Sequence, residues 1–152
     1  MRYTRLRFSN GLVAYLSGDT GMTAEQEKVV RGFYDAKLVV INIGDTFTTG
    51  PKEAAYVVNE LVKPASVIPS HANEEATKDG KVIAGTRTDT FQKAAKVPVH
   101  IPLSGKTMEF DGGGKCISGC WSIPVSDDEN LGFVQGDVNW TFMNDDMGRA
   151  LH

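Results

Sequence analysis

Polar and apolar residues alternate over residues 3–8, with Tyr3, Arg5 and Arg7 opposite Leu6 and Phe8, which is the period of a half-buried strand. Asn10-Gly11 is a hairpin-turn dipeptide, and residues 12–16 form a second, more apolar strand, so the two predict an antiparallel hairpin. The period then becomes helical. Thr23 and Gln26 have capping-box spacing, Glu25 suits the positive end of the helix dipole, and Val29, Val30 and Phe33 share a face opposite Glu27, Lys28 and Arg31. Residues 38–43 are the β-branched run of a buried strand. Gly50-Pro51 opens a second helix with Ala54, Ala55, Val57, Val58, Leu61 and Val62 on its apolar side; Lys63 suits its negative end and Pro64 stops it. A short buried strand at 66–69 leads into a polar loop, 71–87, that is longer than packing requires. Asp89 and Gln92 then cap a short helix to about Lys96, and strands follow at 97–101 and 107–110, joined by a turn at Ser104-Gly105. The order β-β-α-β-α-β-loop-α-β-β predicts an α/β fold with a mixed, layered sheet and no internal repeat.

Composition narrows the partners more than the fold. A chain of 152 residues suits one domain, and a net charge of −3 gives no reason to expect nucleic acid or an anionic membrane. No apolar run approaches the roughly 20 residues needed to span a bilayer. The N-terminal MRYTRLRFSNG has basic residues but no apolar core, so the chain reads as soluble with no targeting segment. Charge is uneven: residues 111–152 carry seven acidic against two basic side chains, whereas residues 1–110 carry 12 against 14. The chain therefore divides into a domain over 1–115 and an acidic, glycine-rich tail, 116–152, whose order composition leaves open.

Three segments carry candidate chemistry: SGDTG (17–21), IGDTFTTGP (43–51) and PSHAN (69–73). Each follows a strand-like run, so strands lying side by side would bring Asp19, Asp45 and His71 to one sheet edge, where open α/β folds place their ligands. Asp19, between glycines, is either a metal ligand or an ordinary Asx-turn residue. Asp45 either orients a ligand of the metal from behind or bonds the loop backbone. His71 at a strand end is a metal ligand, a general base or a hydrogen-bonded surface residue. His100 falls on a sheet face away from that edge and reads as structural, and His152 is terminal. Cys116 and Cys120 lack zinc-knuckle spacing; they are two free thiols or a local disulfide. Ser17, Ser70 and Ser104 have no histidine–carboxylate pattern of their own, and Gly112–Gly114 precede no helix with a lysine, so neither a serine hydrolase nor a phosphate loop is implied.

Taken in order, GDTG (18–21), FTTGPKEAA (47–55), VIPSHAN (67–73) and PLSGKTMEF (102–110) resemble the metallo-β-lactamase superfamily, in the branch that includes ascorbate-6-phosphate lactonase. The resemblance covers about residues 3–115 and implies half of an αββα sandwich, a mixed sheet covered by helices on one face. It implies a site for one or two metal ions, usually zinc, in which Asp19 matches the bridging aspartate and His71 the last histidine ligand. It also implies a small-molecule substrate attacked by a metal-bound hydroxide. The superfamily's His-x-His-x-Asp-His motif precedes the GDTG segment, and only 17 residues stand before that segment here. The expectation is thus a C-terminal half that lacks three or four ligands, inactive as an isolated chain.

That expectation has a physical corollary. The uncovered sheet face should pack against the missing N-terminal half, against a second copy of the chain, or against the tail through Trp121, Phe133, Trp140 and Phe142. The alternative function is a non-catalytic binding or self-assembly module built on the half-fold.

Overall fold

The computed structural model describes residues 3–120. Four strands form the main sheet in the order β1 (Thr4–Arg7), β2 (Val13–Leu16), β3 (Leu38–Asn42) and β4 (Ser66–Ser70). The Asn10-Gly11 turn makes β1 and β2 antiparallel, as the dipeptide predicts: Gly11 adopts a φ of 90° and Asn10 Oδ1 accepts from Leu12 N at 3.0 Å. β2, β3 and β4 are mutually parallel, so all three run out at the same edge of the sheet.

The helices cover one face, in agreement with the reading of the sequence. Tyr15, Val39, Ile41, Ile43 and Val67 project to this side and pack against Val30, Ala54, Ala55, Val57, Val58, Val62 and Phe91. Helix α1 (Pro51–Tyr56) begins where proline and glycine set its N-terminus, with Glu53 Oε2 accepting from Gly50 N at 3.2 Å. It runs on as a wide, π-helical segment (Val57–Val62) that ends at Lys63 in the left-handed conformation.

The first helix departs from expectation. It too is π-helical, over Gln26–Arg31, with Gly32 N and Tyr34 N bonding back five residues to Glu27 O and Val29 O at 3.0 Å. The wider turn shifts the side-chain phase. Phe33, expected on the apolar face, is 76% exposed, whereas Gln26, expected only at the cap, is buried. Gln26 is accommodated because Oε1 accepts from Thr23 N at 2.9 Å and Nε2 reaches Tyr15 Oη at 3.4 Å.

Three further expectations shift. The 71–87 loop contains a small hairpin, β5 (Thr77–Lys78) with β6 (Lys81–Val82), turned at Asp79-Gly80. Helix α2 (Arg87–Ala94) is capped by Thr86, whose hydroxyl accepts from Asp89 N at 3.2 Å, so the cap lies three residues before the expected Asp89. Residues 97–101 contribute a single parallel bridge, Val67 to Val99, because Pro98 and Pro102 each lack an N–H for a longer ladder. β7 (Glu109–Phe110) pairs with β8 (Cys116–Ser118) instead of with that segment. Cys116 and Cys120 are bonded to each other beside this hairpin. The aromatic residues Trp121, Phe133, Trp140 and Phe142 lie outside the described residues.

The second sheet face is less covered. Leu12, Ala14 and Leu38 pack under Phe110, with Leu16 and Ile68 half-buried at the margin and Leu6 and Phe8 exposed. His100 lies on this side, Nε2 being 3.3 Å from Ser66 Oγ and its ring 5.6 Å from that of Phe110. This is a position on a sheet face, as the pattern of the sequence places it. Burial lowers the His100 pKa below its ordinary value, so the unfolded chain binds the proton more readily than the folded one. The contribution of His100 to stability is therefore expected to fall as pH drops below about 6.5, and urea titrations should show the wild type losing stability relative to His100→Gln on the acid side. Among the described residues no helix is long and apolar enough to cross a membrane.

Candidate metal centre

The parallel strands determine where the site forms. Asp19 follows β2, the 44–49 loop follows β3, and His71 follows β4. β2 and β4 flank β3, about 10 Å apart by ordinary strand spacing. Their loops bend across the end of β3 and meet: His71 Nδ1 lies 2.9 Å from Asp19 Oδ1. Both side chains are accessible, Asp19 at 73% and His71 at 46% of full exposure. The two residues chosen from the sequence are thus in direct contact although 52 positions apart.

Asp45 stays with its own loop. It adopts a left-handed φ of 63°, its Oδ1 accepts from Thr46 N at 2.8 Å, and its carboxylate lies against Gly50. This is the backbone-bonding alternative for Asp45. Thr46 is also left-handed, as are His71 and Asn73, so four of the seven left-handed non-glycine residues among the described residues lie on the two loops that end β3 and β4.

Close approach of these loops depends on Gly44. A Cβ added there would lie 2.5 Å from His71 O and 2.6 Å from Asn73 Nδ2. Gly44→Ala is therefore expected to displace His71 and to cost about 1–3 kcal/mol by overpacking; a urea unfolding midpoint equal to the wild type would count against this. Farther out, the His71 loop is tied to α2. Arg87 Nη1 donates to Ala72 O at 3.3 Å and pairs with Glu74 Oε2 at 3.5 Å, while Arg87 N donates to Glu74 Oε1.

One residue at the site has no counterpart in the sequence reading. Asn42, the last residue of β3, is 1% exposed and bonded to both neighbouring loops. Its signal was a lone amide ending an otherwise apolar strand, since a buried amide must find partners.

Carboxylate and imidazole are the donor types that hold zinc or a similar cation, and their convergence on one point suits such an ion. Two protein donors fall short of the three usual in catalytic zinc sites. Among the described residues no third His, Cys, Asp or Glu joins them. Beside His71 opens a cavity of about 180 Å³ lined by Ile43, Ser70, Thr77, Thr88 and Ile101.

No family model matches the chain. A UPF0173 metal-dependent hydrolase of Polynucleobacter asymbioticus is 31% identical over 105 residues, 69% of this chain and 35% of that protein. One of Staphylococcus epidermidis is 34% identical over 103 residues, 67% of this chain and 42% of that protein. A third, of Roseiflexus castenholzii, is 41% identical over 66 residues, 43% of this chain and 26% of that protein. The chain thus spans well under half the length of these relatives. Among solved structures, the metallo hydrolase Igni18 of Ignicoccus hospitalis aligns with a TM-score of 0.47 at 22% identity, covering 72% of this chain and 42% of that one. The metallo-β-lactamase fold protein YhfI of Bacillus subtilis aligns with a TM-score of 0.48 at 13% identity, covering 68% and 47%. By its sequence relatives the chain is a homologue of the UPF0173 metal-dependent hydrolases over the part that it shares with them.

Proposed function

We propose that this chain is the C-terminal portion of a zinc-dependent hydrolase of small molecules, in which Asp19 and His71 are two of the metal ligands. The observation that supports it is the 2.9 Å meeting of these side chains at the common edge of three parallel strands. A divalent cation held there would supply Lewis-acid polarisation of the substrate and a lowered pKa for attacking water. The chain's own residues hold and orient the donors: Gly44 lets the loops approach, and Arg87 and Glu74 anchor the His71 segment. The remaining ligands come from a missing half or from a second copy, and the isolated monomer is inactive. The test is metal content per chain after purification without chelator, with zinc titration of the metal-free protein. Zinc binding that is lost in Asp19→Ala and His71→Ala supports this reading, and zinc binding that both variants retain overturns it.

A second reading draws on the open sheet face, where Leu6 and Phe8 are exposed beside the half-buried Leu16, Val40 and Ile68. Such a face favours a partner. On this reading the half-fold is an assembly module without catalysis. A dimer in sedimentation equilibrium together with failure to bind zinc would favour it over the first.

A further inference from the structure

We propose that Asn42 is the positioning residue for Asp19, its one side-chain amide setting the course of the loop that carries the carboxylate to His71. The inference rests on the reading of Asp19 and His71 as metal ligands, and it adds the element that aims them. The Asn42 amide N–H groups are shared among three acceptors: Ser17 Oγ at 3.1 Å, Gly18 O, and Thr20 O at 3.1 Å. The carbonyls immediately before and after Asp19 therefore converge on the same nitrogen. With both carbonyls drawn inward, the Asp19 side chain is left outside.

The amide is itself fixed from the other side. Thr49 Oγ1 donates to Asn42 Oδ1 at 2.7 Å and to Asn42 O at 2.8 Å, and Asn42 N donates to Ser17 Oγ at 3.0 Å. Asn42 also stands opposite Ser70 in the β3–β4 register, one residue before His71. A single buried group thus refers the Asp19 loop to the strand that delivers His71. A carboxylate in its place would match the shape but turn acceptors toward acceptors, and the loop would be released.

The test uses Asn42→Asp, with Asp19→Ala as reference and Val58→Ala as a control that lowers stability from within the helix-covered core. Two readouts are taken: zinc affinity, and the ring 15N signals of His71 in the metal-free protein, which report its contact with Asp19. Asn42→Asp is expected to weaken zinc binding at least about tenfold, the range for residues that orient ligands, and to move the His71 signals toward those of Asp19→Ala. Val58→Ala should change neither. A folded Asn42→Asp protein with wild-type zinc affinity and wild-type His71 signals would overturn the inference. If that variant does not fold, Thr49→Val, which removes the hydroxyl that Asn42 Oδ1 and Asn42 O accept from, is expected to move both readouts in the same direction, and wild-type values there overturn the inference equally. Should Asp19→Ala and His71→Ala leave zinc binding unchanged, or the wild type bind no zinc, the His71 signals still decide the role of Asn42 apart from the proposed function.

Discussion

Asp19→Ala and His71→Ala are each expected to lower zinc affinity by about 100-fold, at or beyond the upper end of the loss seen when only a supporting residue is removed. On the proposed reading each substitution deletes one of the two donors found among the described residues, and one remaining donor holds an ion poorly against water. Both side chains are accessible, so the unfolding free energy should change by no more than about 0.5 kcal/mol, as for ordinary surface substitutions. Competition titration against a chromophoric chelator reads the affinity, and circular dichroism confirms the fold. The double variant should bind no more weakly than either single one, because the donors act as a pair. One ion per two chains in the wild type would show that a second copy completes the site. Unchanged affinity in both variants would remove Asp19 and His71 from any metal centre.

Phe91→Ala is expected to have the largest effect on stability, about 3–5 kcal/mol. Phe91, on α2, is fully buried in the core cluster between the helices and the sheet that they cover. That loss is a large share of the roughly 5–15 kcal/mol that holds a domain together. It also has a local effect, since α2 begins at Arg87, the residue that tethers the His71 loop through Ala72 and Glu74. Urea unfolding followed by tryptophan-independent circular dichroism measures the first effect. A shift of the unfolding midpoint worth less than about 1 kcal/mol would show that the helix repacks over the gap.

The sheet and its edge were legible because their signals were local and unopposed. Asn10-Gly11 specifies the hairpin, and the apolar runs at 38–43 and 66–69 fall on strands buried by the helices. Asp19 and His71 were legible as candidates because each ends such a run, and parallel pairing then brings them together. Phe33 departs from its expected face because a 3.6-residue period does not hold in a segment with five-residue bonds. Nothing in QEKVVR announces the wider turn, which tertiary packing selects. The loop after His71 concealed a hairpin because β5 and β6 are two residues each, too short for a period. The 97–101 segment alternates like a strand, yet its prolines limit it to one bridge. Asn42 went unmarked because its partners come from loops that only the folded sheet brings together.

The 52-residue separation of Asp19 and His71 also bears on the order of events in folding. Their contact requires both crossovers to close, from β2 to β3 and from β3 to β4, before any pairing of the two loops is rewarded. An ion gripped by both residues would then act as a clasp between the outer parallel strands, binding the native chain and not the unfolded one. The unfolding temperature would rise with free metal concentration, the added stability growing with the logarithm of one plus the ratio of that concentration to the dissociation constant, so a simple thermal melt would double as a binding assay.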